Sequence, residues 1–363
     1  MIKSIQNEYM PDLVSPPGET LLEMLIERGM SQAELAERTG RPKKTINEII
    51  KGKATITPAT SLQLERVLGA PASFWNDREQ HYRENLARQA ERDSLEGQID
   101  WLKQFPIKAM VDFGWLKAMD DPIELLGEVL NFFGIAAPTQ WQRVWLEPGV
   151  AFRQSPVFES DPFAVSVWLR KGEIEAQRLD CAPYDPDHFV DTLQIVRELT
   201  TQPPKVFHPE TVRLCAEAGV AVAFVPELPK VRASGATRWL TANKAMIQVN
   251  LRHKTDDHFW FTFFHEAGHI LKHGKRDIFV EDGGDHDEKE EEANRFAADF
   301  LIPPAEYRRF TPRAGHYSKD EIRNFAEHLK IAPGIVVGRL QHDGKLAVQN
   351  CNDLKQHFEW VNN

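Results

Sequence analysis

Cysteine is scarce in this chain. Cys181, Cys215 and Cys351 are the three in 363 residues, and none stands in a C-x-x-C pair, which argues against a disulfide framework or a cysteine-built zinc site. Their expected place is as small apolar residues of the interior. No run of 18 apolar residues occurs, and residues 1–13 lack a basic-then-apolar leader pattern, so the expectation is a cytoplasmic chain with no membrane partner. Internal repeats and low-complexity segments are also missing. With 21 glycines and 23 prolines, collagen and wholesale disorder are excluded. What is there is a globular composition, 42% hydrophobic and 27% charged, at a length that predicts two or three domains. The net charge of -10 would argue against nucleic acid if it were spread evenly. It is not, because residues 281–292 hold eight acids against one lysine and leave the remainder close to neutral.

Residues 1–15 show little periodicity and lead into Pro16-Pro17-Gly18, the pattern of a flexible arm before a helix. A first helix follows from Glu19, with Leu22, Leu25 and Ile26 expected on one face and Gly29 at its end. Ser31-Gln-Ala-Glu34 predicts a capping box opening a second helix, Gln32 to Thr39. Pro42 fits the first turn of a third, which runs to about Ile50. A fourth is expected over Thr60 to Leu68 and a fifth over Ala72 to Gln89. The second and third have helix-turn-helix spacing, in which the second helix of the pair enters the DNA major groove. Between Arg41 and Lys53 stand five basic residues, Arg41, Lys43, Lys44, Lys51 and Lys53, against Glu48 alone, which supplies phosphate contacts at both helix ends. Lys43, Lys44 and Asn47 are the base-reading candidates, since Lys reaches guanine acceptors and Asn pairs with adenine. Thr45 completes the candidate DNA-binding set.

The segments Pro17-Gly-Glu-Thr-Leu, Met30-Ser-Gln-Ala-Glu-Leu-Ala, Thr45-Ile-Asn-Glu-Ile-Ile-Lys-Gly-Lys, Ile56-Thr and Phe74-Trp75 resemble the XRE-type domains of HigA-family antitoxins. The resemblance covers about residues 12–90. It implies a homodimer on a palindromic operator, often at the protein's own promoter.

Residues 90–205 have helical periodicity, as at Ile123 to Phe133 and Phe189 to Leu199, and no reactive constellation. Val220 to Val225, Thr237 to Thr241 and Ala245 to Leu251 predict three strands of a small sheet. Next comes His265-Glu-Ala-Gly-His269 inside an apolar helix expected over His258 to His273. Two histidines and a glutamate buried in such a helix are costly without partners, and a metal supplies one. His265 and His269, at i and i+4, share a face and can reach one zinc, with Glu266 beside them as general base. Gly268 is expected to leave room for water. A catalytic zinc takes a third protein ligand, for which the helix Glu288 to Leu301 offers Glu288, Glu290, Glu291 and Glu292. The stripe Ala293, Ala297, Leu301 extends back through Glu290, which is therefore the expected ligand, and Asn294, one turn on, is expected to hydrogen-bond a ligand or the approaching substrate. His273 is roughly 12 Å of helix rise from His265, too far for all three histidines to share an ion, and is taken as flanking. Tyr307, His316, Tyr317 and His273 stay open as oxyanion donors. Helices are also expected at Lys319 to Leu329, after the capping box Ser318-Lys-Asp-Glu321, and at Pro333 to His342.

The run F-T-F-F-H-E-A-G-H-I-L-K-H, then Glu290-Glu-Glu-Ala-Asn294-Arg-Phe-Ala-Ala298 and Phe300-Leu-Ile-Pro303, resembles the ImmA/IrrE metallopeptidases over roughly residues 206–310. Ala267 departs from the Leu or Ile usual there. The resemblance implies a gluzincin-like fold, zinc on His265, His269 and Glu290, and Glu266 as base. It also implies substrates among helix-turn-helix repressors, whose cleavage releases stress or mobile-element genes. The expected fold is mainly α (α+β) with one small sheet. Its divisions are a flexible arm (1–15), a helix-turn-helix domain (16–90), a helical connector (91–205), a metallopeptidase domain (206–310) and a helical tail (311–363). The expected function is a DNA-binding transcriptional regulator whose zinc-dependent endopeptidase, with manganese as the other metal, cleaves a repressor or antitoxin-like protein, itself included, under stress. The alternative is an antitoxin or autorepressor whose peptidase-like domain senses metal or holds a toxin without cleaving.

Overall fold

The computed structural model describes residues 15–146, 161–274, 279–281, 288–311 and 317–360. The expected arm, His316 and nearly all of the acidic segment ahead of Glu288 lie outside the described residues. The chain forms two compact units, residues 1–98 and 99–363.

The first unit holds α1 (Pro17–Glu27), α2 (Gln32–Thr39), α3 (Lys43–Ile50), α4 (Pro58–Leu68) and α5 (Ala72–Glu96). Leu21 and Leu25 of α1 are buried with Leu35, Ile46, Ile49, Leu64, Leu68 and Trp75. The face expected from Leu22, Leu25 and Ile26 is thus rotated, and Ile26 is 71% exposed. Gly40 ends α2 at φ 69°, a left-handed conformation that glycine adopts without strain. Ser31 caps α2 by accepting from the Glu34 amide, but the reciprocal half of the box is replaced, since Glu34 turns to Arg38 at 2.6 Å. Pro42 stands just before α3 rather than in its first turn, and its extended backbone lets its carbonyl accept from Thr45 and Ile46. Helix α5 passes its expected end at Gln89 because nothing breaks it before Gly97. Only its apolar periodicity stops, and that periodicity was the signal.

The second unit opens with a 3-10 turn at Ile99–Gln104 and continues through α6 (Ile107–Asp112), α7 (Pro122–Phe133) and α8 (Pro138–Trp141), which runs on as a π turn. Then come α9 (Pro162–Arg178), α10 (Pro186–Leu199) and α11 (Pro204–Glu217). Helices α7, α9 and α10 start at Asp-Pro pairs, in which Asp121, Asp161 and Asp185 accept from the first-turn amides and proline takes the position that has no helical donor to lose.

A sheet of β1 (Val220–Phe224), β2 (Gly235–Thr241), β3 (Lys244–Val249) and β4 (Phe279–Glu281) has the order β1-β3-β2-β4. Strand β1 is parallel to β3, while β2 runs antiparallel to both β3 and β4. The expected strands are there, and β4 is added. Helix α12 (Asp256–Lys272) packs on this sheet, followed by α13 (Glu288–Leu301), α14 (Pro304–Phe310), α15 (Lys319–Leu329) and α16 (Pro333–His342). The fold is mainly α with one small sheet. Its largest core runs from Phe189 through Phe263, Phe264 and Leu301 to Ile335 and Phe358, across the expected divisions at 205 and 310. Cys215 is buried, Cys181 and Cys351 are half-buried, and all three are free. Among the described residues no helix is long and apolar enough to cross a membrane.

Candidate metal centre and helix-turn-helix face

Helix α12 is held at its N-terminus by a buried acidic pair. Asp257 meets Lys355 at 2.6 Å, and Asp256 lies against the backbone of Gly334 in α16, where a β-carbon would overlap its carboxylate. Burial, and then Asp257, push the Asp256 carboxyl up to about 7. The last segment of the chain completes this hold, with the Asp256 amide donating to the Gln356 carbonyl and the Phe358 amide to that of Lys254.

One turn pair further along, His265, His269 and Glu290 bring a ligand atom each within 4.8 Å of one another. The His265 Nε2 is 3.1 Å from Glu290 Oε2, and the His269 Nε2 is 3.4 Å from Glu290 Oε1. The two Nε2 atoms are 2.9 Å apart. Glu290 arrives from α13 because the buried stripe Ala293, Ala297, Leu301 turns that helix onto α12. Gly268 has a different part from the one expected. It faces Ala293 and Phe296 of α13, where a β-carbon would stand 3.0 Å from the Phe296 ring, so it lets the helices close rather than making space for water.

The outer hydrogen bonds decide which ring nitrogens carry protons. His265 Nδ1 is 2.9 Å from Asn294 Oδ1, an acceptor, so Nδ1 donates and Nε2 turns a lone pair inward. His269 Nδ1 is 2.9 Å from His273 Nδ1, and His273 Nε2 is 3.3 Å from Glu292 Oε2. Donation from His269 to His273 and on to Glu292 leaves His269 Nε2 a lone pair as well. With those tautomers, two imidazole lone pairs and a carboxylate face one point, an arrangement that a shared cation would satisfy. The set suits zinc, which takes imidazole and carboxylate ligands. When the Nε2 atoms carry protons instead, they donate to the Glu290 carboxylate, and although burial pushes that carboxyl up these bonds outweigh it and hold it at about 2. Burial holds the His269 imidazole below its ordinary value.

Glu266 is wholly buried. Its carboxylate lies against Gly235 of β2, where a β-carbon would come within 2.5 Å of Oε1, and Thr237 donates to its carbonyl at 3.1 Å. Of the open oxyanion candidates, Tyr307 lies under the Arg339 guanidinium and Tyr317 packs on Phe310. His273 belongs to the ring chain just described. Sequence reading missed the contact of His273 with Glu292, although its i+4 step from His269 was the available signal. It also missed Phe279, which stacks on His269 with centroids 4.0 Å apart.

In the first unit, Lys43, Lys44, Lys51 and Lys53 are exposed and Thr45 and Asn47 are half-buried. Lys44 is 3.8 Å from Glu48. Arg41 donates to Gln63 of α4 at 2.5 Å, which fixes its side chain. The loop after α3 is gripped by a residue that sequence reading passed over. Buried Glu79 of α5 accepts from the Ile56 amide at 3.1 Å and from Arg83 Nε at 2.7 Å, and Arg83 reaches the Gly52 carbonyl at 3.5 Å. Its i+4 step from Trp75 was the legible clue.

Comparison with known proteins separates the same two parts. Residues 21–75 match the family described as helix-turn-helix, and residues 217–341 match the IrrE N-terminal-like domain. Nothing among curated proteins matches. Similar solved structures include an antidote protein of a plasmid maintenance system from Nostoc punctiforme, at 28% identity over 23% of this chain and 91% of that one, with a TM-score of 0.23. A HigA-family antidote protein from Coxiella burnetii is 27% identical over 23% and 92%, TM-score 0.22. The Pseudomonas aeruginosa antitoxin HigA with the higBA promoter is 28% identical over 23% and 94%, TM-score 0.22. The chain therefore joins a helix-turn-helix domain of XRE type to an IrrE-like domain that carries the His265, His269 and Glu290 cluster.

Proposed function

We propose that the protein is a transcriptional regulator that binds operator DNA as a homodimer and, under stress, cleaves a repressor or antitoxin-like protein with a zinc-dependent endopeptidase centre. The observation that carries the reading is the convergence of His265, His269 and Glu290 within 4.8 Å, on a segment matching the IrrE N-terminal-like domain. A bound zinc, or manganese in its place, supplies polarisation of a peptide carbonyl and acidification of water. Asn294 and His273 hold the two rings in orientation from behind. Glu266, one residue round the helix, takes the proton from water and passes it to the departing amine nitrogen. On the DNA side, α3 is the reading helix. Lys43, Lys44 and Asn47 face bases, Thr45 completes the DNA-binding set beside them, and Arg41, Lys51 and Lys53 hold phosphates.

One observation favours a second reading. His265 and His269 are 1% exposed and Glu266 0%, as suits a centre that senses metal or holds a toxin without cutting, inside an antitoxin or autorepressor. Mass spectrometry of new protein amino termini in host cells, wild type against Glu266→Gln, under DNA damage and metal stress, separates the two. Termini that vanish in the variant support cleavage and name the substrate. Identical sets at matched expression and zinc occupancy overturn it in favour of the second reading.

A further inference from the structure

Three observations meet at the start of β2. Gly235 to Thr237, the stretch beside Glu266, is paired on its outer side with β4 in the register Gly235↔Glu281, Ala236↔Val280, Thr237↔Phe279. Phe279 lies nearly flat on His269, 18° from parallel, and its ring also stands 5.2 Å from that of His273. Glu266 has no exposed surface, so no peptide bond reaches its carboxylate while these neighbours stay in place.

Strand β4 is a weak occupant of an important edge. It is three residues long, ends on the first residue of the acid-rich stretch 281–292, and pairs with β2 alone among the described strands. Short edge pairings of this kind contribute little stability by themselves. The edge it covers is of the kind on which extended peptides bind, through main-chain hydrogen bonds and side-chain pockets on alternate residues.

We propose that β4 is an exchangeable strand, which in the resting protein fills the edge of β2 where an extended substrate segment lies. The substrate reaches Glu266 by replacing it. This rests on the peptidase reading and deepens it in two ways. It sets the substrate class as a segment that is extended, or can become so, with an apolar, preferably aromatic, side chain at the place Phe279 holds over His269. A helical repressor domain would be cut in a linker rather than in its reading helix. It also sets a resting state, because β4 is tethered between α12 and α13 and competes at an effective concentration of about millimolar.

The test uses zinc-loaded full-length protein in which Ala236→Cys and Val280→Cys are combined. Opposed residues of an antiparallel pair lie about 4.5–5.5 Å apart, inside the span of a disulfide. The two single variants control for the native cysteines, and Phe279→Gly loosens the strand instead of locking it. The readouts are cleavage of dye-labelled casein, an unfolded protein, and the rate at which excess chelator strips zinc. Oxidation of the double variant is expected to abolish cleavage and slow zinc release, with both restored by reductant. Phe279→Gly is expected to raise both by about tenfold, the factor that corresponds to ~1.4 kcal/mol of lost pairing. Equal rates in the locked and reduced forms overturn the proposal. If no form cleaves and Glu266→Gln is indistinguishable from wild type, the peptidase reading fails, and zinc release alone then decides whether β4 covers the centre.

Discussion

His269 meets a different partner on each side of its ring: Glu290 and His265 at Nε2, His273 at Nδ1, and Phe279 across the face. Removing the partner behind a metal-binding histidine typically weakens binding by about 10- to 100-fold. His273→Ala is accordingly expected to lower zinc affinity in that range with unchanged helix content, measured by chelator competition; wild-type affinity would sink the idea. Glu266→Gln is expected to keep zinc affinity while hydrolysis falls by about 10²- to 10⁴-fold, the usual worth of a general base. At this scale legibility follows chain distance. The convergence of His265 and His269 was readable because helical spacing is local, and that of Glu290 because its helix carries its own stripe. Phe279 was not, since no periodicity in the sequence between Gly274 and Phe279 encodes its place over His269.

Between elements, close approach is set by what glycine omits. The start of α1 abuts the end of α3, where a β-carbon on Gly18 would overlap the carbonyl oxygens of Ile49 and Ile50. Gly18→Ala is expected to destabilise the first unit by about 1–3 kcal/mol, the usual cost of overpacking, and to weaken operator binding. Denaturant unfolding followed by circular dichroism checks this, and an unchanged midpoint would refute it. At the head of α12 the outcome depends on pH. Asp256 holds its proton up to about 7 when folded, against an ordinary 3.8, because it is buried next to Asp257. The folded state therefore binds more protons between these values, and stability falls as pH rises through that window. Asp256→Asn is expected to flatten the fall and raise the melting temperature at pH 8; parallel curves from pH 4 to 8 would contradict the assignment. Elements with long periodic faces, such as α13, α15 and α16, were legible end to end. The starts of α7 and α10 were read late because their Asp-Pro pairs look like breaks, and β4 is too short to carry a pattern.

Over the whole molecule, two separate cores predict two unfolding transitions. Zinc is expected to raise only that of the second unit, by about 2.7 kcal/mol at 100 times the dissociation constant. Calorimetry with and without zinc checks it, and a shift of both transitions together would mean that the units do not unfold separately. The mainly α class and the two domain matches were legible in sequence. The extent of the second core was not, because Phe189 and Phe358 join the core of the motif helix only through tertiary packing. That closure also orders events during synthesis. Helix α12 is fastened by Lys355, Gln356 and Phe358, whereas the first unit is complete at residue 98. At about 5–20 residues per second, the helix-turn-helix unit emerges roughly 10–50 s before the His265, His269 and Glu290 cluster can close. A nascent chain thus completes its helix-turn-helix unit before that cluster can close.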